Sequence, residues 1–399
     1  MDKVFNYISR RREEAIQLVR SLVSIRTVNP PGENYEKIIN LLDKKCRQAG
    51  LATKRMPVPG AKGRVCLLAD WNIGAKKTLH INGHYDVVPC AGGWHSQPFK
   101  PFLSDGKIYG RGTEDMKGGI ACYIMAVSAL KKYKILPKCN LQFSFTPDEE
   151  TGGSTGFGYL VKKGLIKADY GIGEGYSGAY VSCGNKGVIW LNVEIKGRPA
   201  HGSSPYKGVN SFEGMVAASN ELIKLNEKIS KRKTSYMTQD EKDRLATMVL
   251  GGAAWGPEKV NIVPACAGFS IDRRFLPEEN INNVKKEIFE SINKVKRKIK
   301  GLKINIKILN EQDSAVSKTN PAFFGCFRKG IKEVLNKDAK FAIMAGATDM
   351  RFLMAKGTPC LGYAPQGEGR WHADDEYVSV KSLIDTTKVF AYMFENFGE

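Results

Sequence analysis

One short segment, residues 82–89, constrains this chain most, because it sets an imidazole and a carboxylate at the end of a predicted buried strand. It reads Asn-Gly-His-Tyr-Asp-Val-Val-Pro, with His84 two residues before Asp86. The apolar run at residues 78–81 is typical of a strand, and Gly83 ends that run. Open α/β sheets carry their chemistry at the carboxyl ends of strands. His84 is therefore a candidate metal ligand whose tautomer Asp86 can fix; a structural His–Asp pair is the alternative.

Further carboxylates stand where a predicted strand or a glycine turn ends. Asp115 follows a glycine turn and precedes an apolar helix, and Glu174 ends a short predicted strand. Glu149 and Glu150 follow the alternating strand of residues 141–147. Adjacent carboxylates repel one another unless a cation lies among them, which favours a metal site. The alternatives are a helix N-cap for Asp115 and a solvated loop for the acidic pair.

The last histidine of the chain, His372, lies in the segment Trp-His-Ala-Asp-Asp-Glu at residues 371–376. In this order, the segments resemble those of the acetylornithine deacetylase, succinyl-diaminopimelate desuccinylase and glutamate carboxypeptidase family of two-metal hydrolases. Five separate segments agree with the family in order and approximate spacing, and the resemblance spans nearly the whole chain. The sequence is therefore similar to that of a dinuclear zinc hydrolase.

The resemblance implies that five side chains bind two divalent ions. Asp115 would bridge both ions, His84 and Glu174 would complete one, and Glu150 and His372 would complete the other. Nitrogen and oxygen ligands with few thiolates suit zinc, with cobalt or manganese as possible substitutes. Two ions about 3.5 to 4 Å apart share one hydroxide and grip a carbonyl oxygen, and the pKa of the bound water drops toward about 7. The implied reaction is hydrolysis of an amide bond.

The two neighbouring glutamates would have different roles, because one carboxylate cannot both bind a metal ion strongly and transfer protons. Glu150 would be the ligand. Glu149 would be the general base that takes a proton from the metal-bridging water and delivers it to the leaving amine, a role worth about 10² to 10⁴ in rate. By the same resemblance, Asp86 is the catalytic partner of the metal-bound imidazole, and the peptide bond Asp115–Met116 is cis.

The 399-residue chain has room for two domains. A catalytic domain of residues 1–186 is interrupted by residues 187–309 and resumes at residues 310–399. The insert reads strand, helix, strands, helix, strand, which predicts a small α+β sandwich with both helices on one face. The resemblance implies an α/β fold: a mixed-sheet zinc-peptidase-type catalytic domain with an inserted ferredoxin-like lid and dimerisation domain. We therefore expect a homodimer.

Several residues in and after the insert match family positions near the substrate. The resemblance implies that His201 reaches the partner subunit's site and donates a hydrogen bond to the oxyanion, worth roughly 3 to 4 kcal/mol in the barrier. Asn261 and Arg274 match substrate-holding positions, and the planar fork of arginine suits a carboxylate. Gly346 lies in a segment that resembles the family's glycine-rich segment before the last ligand, and the resemblance implies that its backbone contacts substrate. The alternative for His201 is a surface loop without a role. The alternative for Arg274 and its neighbour Arg273 is a surface salt bridge to Asp272 or Glu278.

Glu174 favours an anionic N-acyl-amino acid or small peptide as substrate, because the family tends to place Glu there in deacylases and carboxypeptidases and Asp in aminopeptidases and dipeptidases. A metallo-dipeptidase or aminopeptidase is the alternative. The net charge of +20 would steer anionic substrates, and it also raises a remote alternative, a nucleic-acid-binding protein without catalysis. Lysines spread along helices, with no aromatic stacking motif, argue against nucleic acid as a partner.

The nine cysteines are scattered without CxxC pairs, which favours reduced thiols over a disulfide framework. No stretch approaches the roughly 20 apolar residues that cross a membrane. The first residues predict a charged amphipathic helix and not a signal peptide. We therefore expect a cytoplasmic protein with no membrane partner. His80, inside the first predicted strand, is expected in the core.

Overall fold

The computed structural model describes residues 1–257, 259–369 and 371–398. The chain forms two compact units. The first comprises Met1–Gly184, Val316–Ala342 and Thr348–Glu399, and the second comprises Asn185–Ala315 and Ile343–Ala347. The sequence places the divisions at 186/187 and 309/310. The second division falls later because the last strand of the insert, Lys303–Gln312, continues past residue 309.

The helices and strands alternate along much of the chain. The α-helices are α1 (Asp2–Arg10), α2 (Arg12–Val23), α3 (Tyr35–Gln48), α4 (Gly118–Lys132), α5 (Phe157–Lys162), α6 (Ser211–Ile229), α7 (Ile281–Lys298), α8 (Pro321–Leu335), α9 (Arg351–Met354) and α10 (Val380–Asn396). The strands are β1 (Ala52–Pro57), β2 (Val65–Trp71), β3 (Thr78–His84), β4 (Phe102–Ser104), β5 (Lys107–Tyr109), β6 (Asn140–Thr146), β7 (Tyr170–Tyr176), β8 (Tyr180–Asn185), β9 (Gly187–Lys196), β10 (Ala200–His201), β11 (Thr247–Trp255), β12 (Ile262–Val263), β13 (Cys266–Phe275), β14 (Lys303–Gln312), β15 (Ala315–Val316), β16 (Lys340–Met344), β17 (Cys360–Tyr363) and β18 (Tyr377–Ser379).

The largest sheet is mixed and has the strand order β1-β2-β6-β3-β7-β17-β8-β15, with β16 paired to β8. Its centre is parallel, since β3 runs parallel to β6 and β7, and β17 runs parallel to β7. At the edge, β1 and β2 pair antiparallel. Parallel strands end on the same side of a sheet, so the loops after β3, β6 and β7 meet there.

The strand β3 lies at the centre of the core and is buried along its whole length. A Cβ added to Gly83 would lie 2.8 Å from Cγ1 of Ile120, so glycine lets α4 approach β3 closely. The residues of α4 join a core cluster with α10 and the central strands. His80 has no exposed surface, as expected, and its Nε2 lies 2.8 Å from Oγ of Ser144.

The second unit contains a four-stranded antiparallel sheet in the order β11-β13-β9-β14. Burial alternates along β9: Ile189, Leu191, Val193 and Ile195 are fully buried, whereas Trp190 is 36% exposed. The buried face shares one apolar cluster with α6 and α7. Each helix begins at an asparagine N-cap whose side chain accepts backbone N–H groups. The predicted α+β insert is thus present, with both helices packed on one face of its sheet.

No described helix is both long enough and apolar enough to cross a membrane.

Candidate metal centre

Three parallel strands and the loops that follow them supply several of the predicted site residues. His84 is the last residue of β3 and pairs in register with Thr146, the last residue of β6. The short 3₁₀ helix Glu149–Thr151 follows β6. Glu174 lies in β7, the other parallel neighbour of β3. The sheet therefore brings His84, the acidic pair and Glu174 to a common edge.

Asp115 and His372 arrive on segments that belong to no strand. Asp115 lies in the short helical segment Thr113–Lys117 that precedes α4, and the peptide bond Asp115–Met116 is cis, as the resemblance implied. His372 lies between β17 and β18 with φ of 64°, in the left-handed region. Their meeting with the sheet edge depends on the tertiary fold and not on local structure.

The five side chains form two groups that share Asp115. His84 Nε2 lies 2.9 Å from Asp115 Oδ1 and 3.3 Å from Glu174 Oε2. His372 Nε2 lies 3.2 Å from Asp115 Oδ2 and 3.1 Å from Glu150 Oε2. In each group the three ligand atoms all lie within 4.8 Å of one another. Asp115 thus presents a different oxygen to each group, as a bridging carboxylate requires.

Asp86 touches more than its predicted partner. His84 Nδ1 lies 3.1 Å from the backbone oxygen of Asp86 and 3.5 Å from its carboxylate oxygen Oδ1. The Asp86 carboxylate accepts the backbone N–H groups of Glu149 and Glu150, both at 3.3 Å. It also accepts a hydrogen bond of 2.8 Å from Asn29 Nδ2. Asp86 therefore fixes the acidic loop after β6 as well as the imidazole.

Burial makes it costly for the carboxylates of this centre to ionise together. Burial raises the pKa of Glu150 to about 7, and the charge of Asp115 adds to the rise. Burial also raises the pKa of Glu149 well above its usual range, and the charge of Glu174 acts in the same direction. A bound cation relieves this repulsion, because it favours the charged form of every carboxylate around it.

The pKa values of the two imidazoles are raised as well, which favours their charged form. Burial alone would lower the pKa of His372, but hydrogen bonds with Asp115 and Glu150 outweigh it and raise the pKa to about 11. For His84 the same competition also ends well above the usual pKa. Burial alone would raise the pKa of Asp115, yet the two imidazoles hold it below its usual range. The carboxylates therefore stabilise a positive charge on each of the two imidazoles, His84 and His372.

The donor set fits divalent metal ions. Glu174 Oε1 is buried and has no hydrogen-bond partner among the described residues, so its lone pairs remain available to a cation. Two imidazole nitrogens and three carboxylates are ligands that zinc accepts in catalytic sites. The residues present therefore suit a two-ion centre.

The structure places the remaining predicted site residues in the second unit. His201 and Asn261 come together where β10 pairs with β12, since Gly202 N–H donates to the Asn261 carbonyl oxygen at 2.9 Å. Gly346 lies in the short return segment Ile343–Ala347, and a Cβ added there would meet no atom within 4 Å. Its backbone is accordingly uncrowded.

His201 is exposed and has a defined tautomer. The backbone N–H of Ser203 donates to His201 Nδ1 at 3.2 Å, and the Ser203 hydroxyl lies 2.7 Å from the same nitrogen. Because Nδ1 accepts a hydrogen bond, the proton of the neutral imidazole lies on Nε2. His201 therefore offers one outward N–H donor.

Arg274 adopts the alternative that the sequence left open. Its Nε and Nη2 donate to the two carboxylate oxygens of Asp272 at 2.8 and 3.0 Å. This bidentate pair uses the donor fork that a substrate carboxylate would need. The neighbouring Arg273 is fully buried and pairs with Glu279 at 2.6 Å. A substrate contact by Arg274 stays a prediction.

Sequence reasoning missed two buried charged residues beside the centre, Arg111 and Glu376, which form an ion pair of 2.7 Å. Arg111 stands four residues before Asp115, and Glu376 stands four residues after His372. The only signal in the sequence was this adjacency to two candidate ligands. Burial and pairing became apparent only in the fold.

With this geometry in place, comparison with known proteins identifies the family. The model of Peptidase family M20/M25/M40 matches residues 80–396. The chain belongs to this family. The resemblance found in the sequence is thereby confirmed, and the chain is a metal-dependent hydrolase of a family that acts on small peptides or acyl-amino acids.

Individual relatives agree with the family match. An uncharacterized metallohydrolase of Methanocaldococcus jannaschii is 30% identical over 95% of this chain and 98% of its own length. Aminoacylase-1A of Rattus norvegicus is 28% identical over 88% of this chain and 86% of its own length. The crystal structure of human carnosine dipeptidase 1 has a TM-score of 0.79 at 19% identity and covers 99% of this chain and 98% of its own. This structural likeness confirms the fold class that the sequence predicted for this chain.

Proposed function

We propose that this chain is a two-metal amidohydrolase that cleaves the amide bond of a small anionic N-acyl-amino acid. One observation carries the proposal: Asp115 directs one carboxylate oxygen to each of two imidazoles, and each imidazole is flanked by a further carboxylate. A structural salt bridge needs no such symmetry, whereas a bridging ligand does.

The ligands fall into two sets in this proposal. His84, Asp115 and Glu174 hold one ion, and Asp115, Glu150 and His372 hold the other. Zinc suits these nitrogen and oxygen donors, with cobalt or manganese as substitutes. When bound, two such ions lower the pKa of a shared water and polarise the substrate carbonyl.

Glu149 supplies the proton transfers. It adjoins the ligand Glu150, and its backbone N–H is fixed by Asp86 at 3.3 Å. Desolvation raises the pKa of its carboxyl group, with help from the charge of Glu174. A carboxylate with a raised pKa can accept a proton from water and later release it to the leaving amine. Glu149 is therefore the general base, and Asp86 positions both it and His84.

The proposed substrate class is based on Glu174, the residue that completes the ion site formed with His84 and Asp115. Glu174 stands where the family favours Glu in deacylases, and the similarity to aminoacylase-1A supports the same class. The net charge of +20 is suited to attracting an anionic substrate. A dipeptidase or aminopeptidase activity is the second candidate, and the likeness to carnosine dipeptidase 1 in fold is its support.

We further propose that the protein acts as a homodimer in which His201 completes the partner subunit's site. The outward Nε2–H donor of His201 suits an oxyanion, the species that forms when the amide carbonyl becomes tetrahedral. Asn261, held beside His201 by β10 and β12, would bind the same region of the substrate. Arg274 would have to exchange Asp272 for a substrate carboxylate, and Gly346 would offer its backbone.

A substrate panel tests the proposed function. Acetyl-, formyl- and succinyl-amino acids would be assayed against simple dipeptides, with zinc, cobalt or manganese added to the chelated protein. Turnover of one or more acyl-amino acids that disappears on chelation and returns with metal is the expected result. Cleavage of dipeptides alone would favour the second candidate, and hydrolysis that survives chelation would contradict both.

A further inference from the structure

His372 is the candidate ligand with the least local support. It lies outside every described helix and strand, and its side chain is 54% exposed. His84, in contrast, belongs to β3, and its side chain is 1% exposed. Contacts from elsewhere in the chain must therefore hold His372 against Asp115.

A buried ion pair joins the segment that carries Asp115 to the segment that carries His372. Arg111 Nη1 donates to Glu376 Oε2 at 2.7 Å, and both side chains are 1% exposed. Arg111 Nη2 donates to the backbone oxygen of His372 at 3.1 Å. The guanidinium of Arg111, four residues before Asp115, thus binds the backbone of His372 directly.

Glu376 binds the Asp115 segment through its backbone. Its Oε2 accepts the N–H of Gly112 at 3.0 Å, and its Oε1 accepts the N–H groups of Glu114 at 2.9 Å and Asp115 at 3.2 Å. Three amides and one guanidinium therefore surround one carboxylate. Such complete pairing compensates the cost of burying the charge.

Glu114 makes the reverse connection. Its Oε1 accepts the N–H groups of Gly367 at 3.1 Å and Gly369 at 3.2 Å, in the segment that leads to His372. Glu114 is itself 2% exposed. Each of the two segments thus supplies a buried carboxylate that binds the backbone of the other.

We propose that Arg111, Glu114 and Glu376, here called the interloop clamp, are positioning residues that set His372 relative to Asp115. The clamp thereby controls the affinity of the ion held by Asp115, Glu150 and His372 more strongly than that of the ion at His84 and Glu174, because only the first ion depends on His372, whose backbone Arg111 binds. This inference rests on the proposed function, since it presumes two ion positions. Partners that orient metal ligands commonly change metal affinity by about 10- to 100-fold when they are removed.

Stepwise zinc titration of the chelated 399-residue protein tests the clamp. Glu376→Gln removes the charge at constant size, and Arg111→Lys keeps the charge but loses the fork that reaches both Glu376 and His372. In both variants one step should weaken about 10- to 100-fold and the other step should weaken distinctly less. Arg273→Lys is the matched control, because it alters a buried arginine paired with Glu279 in the other unit. It should keep both steps.

Thermal melting of the chelated variants distinguishes a role in positioning His372 from a role in stabilising the fold. A purely structural role would lower the melting temperature and leave the ratio of the two zinc affinities as in wild type, and that result would overturn the inference. Equal weakening of both steps would overturn it too. If Glu376→Gln does not fold, Arg111→Lys and Glu114→Gln decide by the same criterion. A wild-type protein that binds fewer than two ions would instead contradict the proposed function, and the inference with it.

Discussion

His372 Nε2 lies 3.2 Å from Oδ2 of Asp115, on the carboxylate oxygen that His84 does not contact. The other oxygen, Oδ1, lies 2.9 Å from the imidazole of His84. Two segments from distant parts of the chain therefore depend on one side chain. Any substitution that removes the whole carboxylate acts on both groups at once.

Asp115→Ala should abolish tight binding at both ion positions, because each loses a ligand. Metal analysis after dialysis would show severe loss of both ions, and activity would disappear. Asp338→Ala serves as a control, since that side chain is 93% exposed and distant from the centre in sequence. Two tightly held ions in the Asp115→Ala protein would refute the bridging assignment.

Glu149→Gln and Glu150→Gln should differ although the two residues are adjacent. Gln at position 149 cannot carry a proton, so turnover should fall by a factor of about 10² to 10⁴ with near-normal metal content. Gln at position 150 replaces a ligand that lies 3.1 Å from His372 Nε2, so one ion should be lost. Metal content and kcat, measured on the same preparations, distinguish them. A Glu149→Gln enzyme within about tenfold of wild-type activity would place the general base elsewhere.

The buried imidazole of His80 should make the free energy of unfolding depend on pH in the acid range. Burial lowers the pKa of His80 to about 4, with a smaller opposing effect from Gln142. In the unfolded chain the same imidazole takes up its proton near pH 6.5. Between these values the unfolded state binds more protons, so the free energy of unfolding falls as the pH falls, by up to about 1.4 kcal/mol per pH unit.

His80→Gln removes this titration and should flatten the fall of the free energy of unfolding between pH 6.5 and pH 4. Urea denaturation at several pH values would measure it, with His95→Gln as the control, because the His95 side chain is 90% exposed. The control should follow the wild-type profile across this range. Identical slopes for His80→Gln and wild type would show that His80 does not cause the acid sensitivity.

Much of the candidate centre is predictable from sequence because its candidate ligands lie near strand ends or flank glycine turns. His84 is the last residue of β3, whereas β7 continues two residues past Glu174, at which the sequence pattern ended the strand. The interloop clamp was not predictable, since no local pattern says which buried charges will pair across the chain. The same holds for the Asp86 carboxylate, whose contacts with the acidic loop depend on the packing of β3 beside β6. Arg274 was ambiguous because a nearby acid competes with any substrate.

The proposed dimer predicts complementation between two inactive variants. His201→Ala lacks the oxyanion donor and Glu149→Gln lacks the general base, so each homodimer should be inactive. In a mixed dimer, one site combines an intact Glu149 with the intact His201 of the partner subunit. With random exchange about half of the dimers are mixed and each has one complete site, so recovery near a quarter of wild-type activity is expected if the sites act independently.

A double variant supplies the matched control for this experiment. His201→Ala mixed with a chain that carries both substitutions can form no complete site, so it should stay inactive under the same exchange conditions. Native mass spectrometry of chains with distinct tags would establish that mixed dimers form. Recovery in the first mixture and none in the second is the result that supports transfer of His201 between subunits. If mixed dimers form but neither mixture regains activity, His201 acts within its own chain. A His201→Ala homodimer that is active by itself would show that His201 has no part in catalysis.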